Sequence, residues 1–90
     1  MLLETPNDMA YEVAKRFRKL RRSRKVTIRS LSERSGVPYS TLRRFESTGE
    51  IAFVSLVKIA SVLGEDDQIR NLFANPYPQS MEEVLRANRL

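Results

Sequence analysis

The sequence predicts an all-α fold of five helices, and three observations carry that expectation. Apolar residues recur at spacings of three and four, the period of a helix with one buried face. Helix-start residues and glycines fall at the ends of those runs. No segment alternates apolar and polar residues with the period of two that a half-buried strand requires. Ninety residues, 41% of them apolar, suit one domain with an ordinary globular core. A chain of this size buries only about 60–65% of its unfolded surface, so modest stability and a benefit from dimerisation are expected.

The first helix is expected from Pro6 to Arg24. Thr5 can cap it, Pro6 suits its first position, and Asp8 stands where a carboxylate meets free N–H groups. Met9, Val13, Phe17 and Leu20 form its apolar stripe, expected to face the core. Its basic residues come late, where cations suit the helix dipole. Thr27 is the expected cap of a second helix, Ile28 to Ser35, with Leu31 pointing inward. Gly36 ends that helix, because a left-handed residue is cheap only for glycine. Val37-Pro38 turns the chain, and the third helix runs from Tyr39 to Ser47 with Leu42 and Phe45 inward. Thr48-Gly49-Glu50 is a turn. A fourth helix starts near Phe53, carries Leu56, Ile59, Ala60 and Leu63, and is stopped by Gly64. Asp66 or Asp67 is the expected cap of a fifth helix bearing Ile69, Leu72 and Phe73. Asn75-Pro76-Tyr77-Pro78 cannot be helical. Ser80-Met81-Glu82-Glu83 reads as a capping box before a short amphipathic helix with Val84 and Leu85. The domain is therefore expected over residues 6–74, with a C-terminal extension over 75–90.

Charge is unevenly spread. Residues 1–50 hold twelve Lys/Arg against six Asp/Glu, whereas residues 51–90 hold four against five. Eight of the eleven residues from Lys15 to Lys25 are basic. This asymmetry points to a polyanionic partner, either nucleic acid or an anionic surface. A solvated helix face is the plain alternative for part of the run, Lys15 to Arg18 above all. Neither cysteine nor histidine occurs, so there is no disulfide framework, no thiolate and no imidazole base. No nucleophile–base set can be assembled, and no catalytic residue, cofactor or metal site is expected. No apolar run approaches the roughly 18 residues of a membrane span. The first residues lack the pattern of a signal peptide, so a cytoplasmic protein is expected.

The centre of the chain carries the most specific motif. Leu31-Ser-Glu-Arg-Ser-Gly36-Val-Pro-Tyr-Ser-Thr-Leu42-Arg-Arg-Phe45 reads as two short helices around a glycine turn, a helix-turn-helix. With Phe45-Glu46-Ser47 and the segment Ser55 to Gly64, the sequence resembles the Cro/cI-like (lambda-repressor-like) DNA-binding domains over residues 12–73. The resemblance implies that the start of the third helix enters the major groove, with Tyr39, Ser40, Arg43 and Arg44 at base edges. It implies phosphate contacts for the N–H groups near Thr27 and Ile28, and for Arg29, Thr41 and Ser47. Arg22, Arg24 and Lys25 lie nearest the groove-facing end and join that set. Ile28 stands where many members carry a phosphate-binding glutamine, and Arg29 is the candidate replacement. Ser32 stands where the family favours alanine. Arg21 and Glu46 resemble the family's partly buried pair joining the first helix to the third, a structural role.

One helix-turn-helix reads few base pairs, so a two-fold dimer on a palindromic operator is expected, with half-sites about 34 Å apart. Ile51, Phe53, Ile69, Leu72, Phe73 and Tyr77 are the dimer candidates, some of them shared with the core. Leu42 to Ile51 with Ser55 to Ile59 also resembles the HipB-like regulators encoded beside HipA-type serine/threonine kinase toxins. That likeness implies an autoregulatory antitoxin, or the DNA-binding component of such an operon, with a HipA-like kinase as partner. The other readings are a phage-type repressor without a toxin, and an interaction module that inhibits a kinase without reading DNA. Membrane attachment through the basic helix is not expected, because that helix lacks a Trp/Phe/Leu-rich insertion face.

Overall fold

A computed structural model describes residues 4–75, and among these residues it forms the five expected helices and no strand. They are α1 (Pro6–Ser23), α2 (Ile28–Ser35), α3 (Tyr39–Thr48), α4 (Phe53–Val62) and α5 (Asp66–Arg70). The expected capping box at Ser80 to Glu83, the short helix after it, most of the proline-rich turn and Tyr77 lie outside the described residues.

Local chemistry sets the helix ends. The Thr5 hydroxyl accepts the Asp8 N–H at 3.0 Å, and the Asp8 carboxylate accepts the Thr5 N–H at 3.1 Å. Such a reciprocal cap is worth about 1 kcal/mol. Thr27 caps α2 in the same way, accepting the Ser30 N–H at 3.0 Å. Gly36 closes α2 with φ +80° and Gly49 closes α3 with φ +88°.

α3 packs against α1 and α2, α2 also packs against α4, and α5 packs on α4. Ala14, Phe17, Leu31, Val37, Leu42, Phe45, Ile59 and Leu63 form the core they share. The rings of Phe17 and Phe45 meet edge to face at 5.6 Å, which joins α1 to α3. Such pairs add about 0.5–1.5 kcal/mol beyond their burial.

Two expectations are corrected. The buried stripe of α1 is Ala14, Phe17 and Arg21, while Met9 and Val13 are exposed. The cause is the close crossing of α3 over α1. A Cβ placed on Gly49 would lie 2.5 Å from the Ala10 carbonyl carbon and 2.6 Å from the Tyr11 nitrogen. Only small residues fit at that crossing, so α1 turns its alanines inward and its larger Met9 and Val13 outward. The second correction concerns α5, which ends at Arg70 and is preceded by Glu65 as its N-cap residue, in place of Asp66 or Asp67. Leu72 and Phe73 therefore lie beyond the helix, and Phe73 is 93% exposed with φ +59°.

Candidate nucleic-acid interface

α3 turns Leu42 and Phe45 into the core. Its period then leaves Tyr39, Ser40, Arg43, Arg44 and Ser47 exposed, while Thr41 is half-buried. Two sets of polar contacts hold this face in place. The Arg21 guanidinium donates from Nε and Nη2 to Glu46 at 2.7 and 2.9 Å, and from Nη1 to the Val26 carbonyl at 2.8 Å. Both side chains of the pair are more than nine-tenths buried, so α1, α3 and the loop before α2 are locked by one charge-assisted network. At the turn, the Ser32 hydroxyl donates to the Val37 carbonyl at 2.6 Å and the Ser35 hydroxyl accepts the Val37 N–H at 3.1 Å. Ser32 thus keeps the close α2–α3 approach and adds a bond that an alanine there lacks. Among the described residues, every buried side-chain polar atom has a hydrogen-bond partner.

Between α1, the start of α2 and α3 lies an open concavity of about 610 Å³. α1 contributes Tyr11, Arg18 and Arg21, α2 and its cap contribute Thr27, Ile28 and Arg29, and α3 contributes Tyr39, Arg43, Glu46 and Ser47. Glu46 bonds Arg21 and lies 3.9 Å from the Arg18 Nε, so its one negative charge offsets only part of the positive charge of Arg18, Arg21, Arg29 and Arg43. The Arg29 guanidinium lies over the Tyr39 ring, 5.7 Å from its centroid. This stacking holds both side chains at the rim. α2 begins at the same rim; Thr27 takes the Ser30 N–H, and the N–H groups of Ile28 and Arg29 have no partner within the helix. Helix dipole and arginines together make the surface suited to an oxyanion.

The remaining residues singled out in the sequence separate by location. Arg44 lies on the other side of α3, where its Nε donates to Glu50 at 3.0 Å and its Nη2 donates to the same carboxylate oxygen. Ser40 and Thr41 do not line the concavity. Arg24 ties the end of α1 to the α4–α5 turn. It donates to the Leu63 carbonyl and, at 2.6 Å, to Glu65. The Glu65 carboxyl is held below its ordinary value of 4.5 by hydrogen bonds from Gln68 and Arg24. Arg22 and Lys25 are exposed, and Lys25 adopts the left-handed region at φ +58°. Of the dimer candidates, Phe53, Leu72 and Phe73 are exposed. Ile51 packs on the core and Ile69 is half-buried.

Sequence reasoning left Tyr11 and Arg18 out of this surface, although their seven-residue spacing puts them on one face of α1. It also missed the Arg24 link, whose partners lie 39 and 41 residues away; no local pattern signals such a contact.

No described helix is long and apolar enough to cross a membrane, and no group of three or more metal-ligating side chains occurs among the described residues. No curated protein and no solved structure matches the chain. Residues 17–69, from Phe17 on α1 to Ile69 on α5, match the helix-turn-helix family. That match spans more than half of the ninety residues, and the chain belongs to this Cro/cI-type helix-turn-helix family of DNA-binding transcription regulators.

Proposed function

We propose that this protein is a sequence-specific transcriptional repressor that reads operator DNA with the exposed face of α3 and works as a homodimer. The observation that carries the reading is the grouping of Arg18, Arg29 and Arg43 around the N-terminus of α2, with Tyr39 on the same rim. Arg43 is the principal reader. It has no ion pair among the described residues, and a bidentate bond to guanine O6 and N7 discriminates by about 1–3 kcal/mol. Tyr39 and Ser40 supply the other contacts at base edges. Arg44 reaches a base only by leaving Glu50, a step that costs no more than about 1 kcal/mol for an exposed pair. The N–H groups near Thr27 and Ile28, with Arg29, Thr41, Ser47, Arg22 and Lys25, bind phosphates. Arg24 makes a phosphate contact only at the expense of its bond to Glu65. Phe53, Leu72 and Phe73 are the exposed apolar residues best suited to the two-fold contact, with Ile51 and Ile69 supporting them and Tyr77 as a further candidate.

The finer reading is an autoregulatory antitoxin, or the DNA-binding component, of a HipBA-like operon with a HipA-like kinase partner. The run Leu42 to Ile51 followed by Ser55 to Ile59 supports it. A gel shift on the protein's own upstream region tests the DNA part. Arg43→Ala is expected to lose site-specific binding, and affinity is expected to fall steeply with salt, at about −0.9 in log–log slope per phosphate neutralised. Unchanged specific binding by Arg43→Ala would sink the base-contact assignment. Co-purification tests the partner. A kinase with DNA supports the antitoxin, DNA without a kinase supports a phage-type repressor, and a stoichiometric kinase without DNA supports an inhibitor module.

A further inference from the structure

The outer face of α1 carries cations that major-groove reading leaves unused. Lys15, Arg16 and Lys19 are exposed, and no ion pair engages them among the described residues. Helical spacing places them opposite the buried Ala14, Phe17 and Arg21. They line a shallow depression of about 300 Å³ with a single acidic neighbour, Glu12.

This face continues from the concavity. The Lys15 ammonium lies 4.9 Å from the centroid of the Tyr11 ring, and Tyr11 and Arg18 form the α1 wall of the concavity. A band of positive charge therefore runs from Arg43 and Arg29 through Arg18 and Lys15 to Lys19. Within α1 the cations stand next to one another, at i,i+3 for Lys15 with Arg18 and i,i+4 for Lys15 with Lys19. Like charges at these spacings repel and weaken an isolated helix. Glu12 offsets part of that repulsion, and a polyanion laid along the helix relieves the rest.

We propose that α1 is a second phosphate track, which holds the duplex backbone flanking the half-site. The proposal rests on the reading of α3 as the base-reading helix. The band turns around α1, away from the concavity. A straight duplex therefore meets Lys15 first, and reaching Lys19 and Arg16 bends the flank toward α1, at a cost that depends on the flanking sequence.

Two duplexes from the upstream region test this. One is trimmed to the protected half-sites, and the other is extended at each end by one helical turn, roughly 10 base pairs. Binding is measured against salt for the natural chain and for the triple variant Lys15→Gln/Arg16→Gln/Lys19→Gln. All three side chains are exposed, and thermal unfolding confirms that the variant folds. The natural chain is expected to show a steeper salt slope on the extended duplex, by about 0.9 per added phosphate contact. The variant is expected to bind the trimmed duplex as the natural chain does, and to lose the extra slope on the extended one. Equal slopes for the natural chain on both duplexes overturn the second track alone. So does a variant that weakens binding to the trimmed duplex as much as to the extended one. Absence of specific binding to either duplex overturns the α3 reading as well.

Discussion

Gly36 and Gly49 both end helices in the left-handed region, at φ +80° and +88°, and alanine at the two positions separates backbone strain from steric conflict. The conformational cost is common to both, about 1–2 kcal/mol for an L-residue in that region. At Gly36 nothing lies within 4 Å of the added Cβ, so Gly36→Ala is expected to cost that amount and no more. At Gly49 the new carbon would lie 2.5 Å from the Ala10 carbonyl carbon, 2.6 Å from the Tyr11 nitrogen and 2.7 Å from the Ala10 oxygen. All three are backbone atoms, so no flexible side chain can move aside. Ordinary carbon contacts lie at about 3.5–4.0 Å, so α3 must move away from α1 by roughly 1 Å. Overpacking of this kind adds about 1–3 kcal/mol. The expected total for Gly49→Ala is about 2–5 kcal/mol. At roughly 4–8 °C per kcal/mol for a domain this small, its melting temperature should fall below that of Gly36→Ala by at least about 4 °C. Thermal melts followed by far-UV circular dichroism measure both. Equal losses for the two variants would refute the steric argument, and with it the account of why Met9 and Val13 face solvent.

Glu46→Ala leaves the Arg21 guanidinium buried with only the Val26 carbonyl, and is expected to cost about 3 kcal/mol in urea unfolding. The double variant Arg21→Met/Glu46→Leu should lose less, and a cycle without coupling would contradict the network. Glu65 titrates below its ordinary range in the folded chain, so the stability it confers is present above that range and is lost as pH falls through its folded value. The stability gap between the natural chain and Glu65→Gln should therefore shrink below about pH 4, and a gap that grows in acid contradicts the assignment. Glu50→Gln frees Arg44 from its ion pair. On the proposed reading it should raise affinity for the operator, by up to about 1 kcal/mol, whereas unchanged operator binding would leave Arg44 without a part at the base edges.

The helix ends were legible because their causes lie within four residues of each other. Thr5 with Asp8, Thr27 with Ser30, and glycines just past α2 and α3 are contacts that a linear reading can see. The burial of α1 was not legible in the same way. Periodicity weighted Met9 and Val13 above Ala10 and Ala14, because large apolar side chains are the usual mark of a core. The glycine crossing from α3 reversed that order. The short α5 misled for a related reason, since Leu72 and Phe73 continue the apolar period after the backbone has left the helix.

By itself the sequence determined the all-helical class, the helix-turn-helix at the centre, and the excess of positive charge in the first half. These follow from backbone preferences, capping and composition, all of which act over a few residues. The resemblance already paired Arg21 with Glu46, 25 residues away; only the tertiary structure decided which other arginines remain available. Arg24 is held by Glu65, 41 residues away, and Arg44 is drawn to Glu50 across the turn that ends α3. Arg29 and Arg43 are left at the rim of the concavity. Every arginine carries the same charge in the sequence, and its reach in the folded chain depends on which carboxylate the packing of the helices brings beside it.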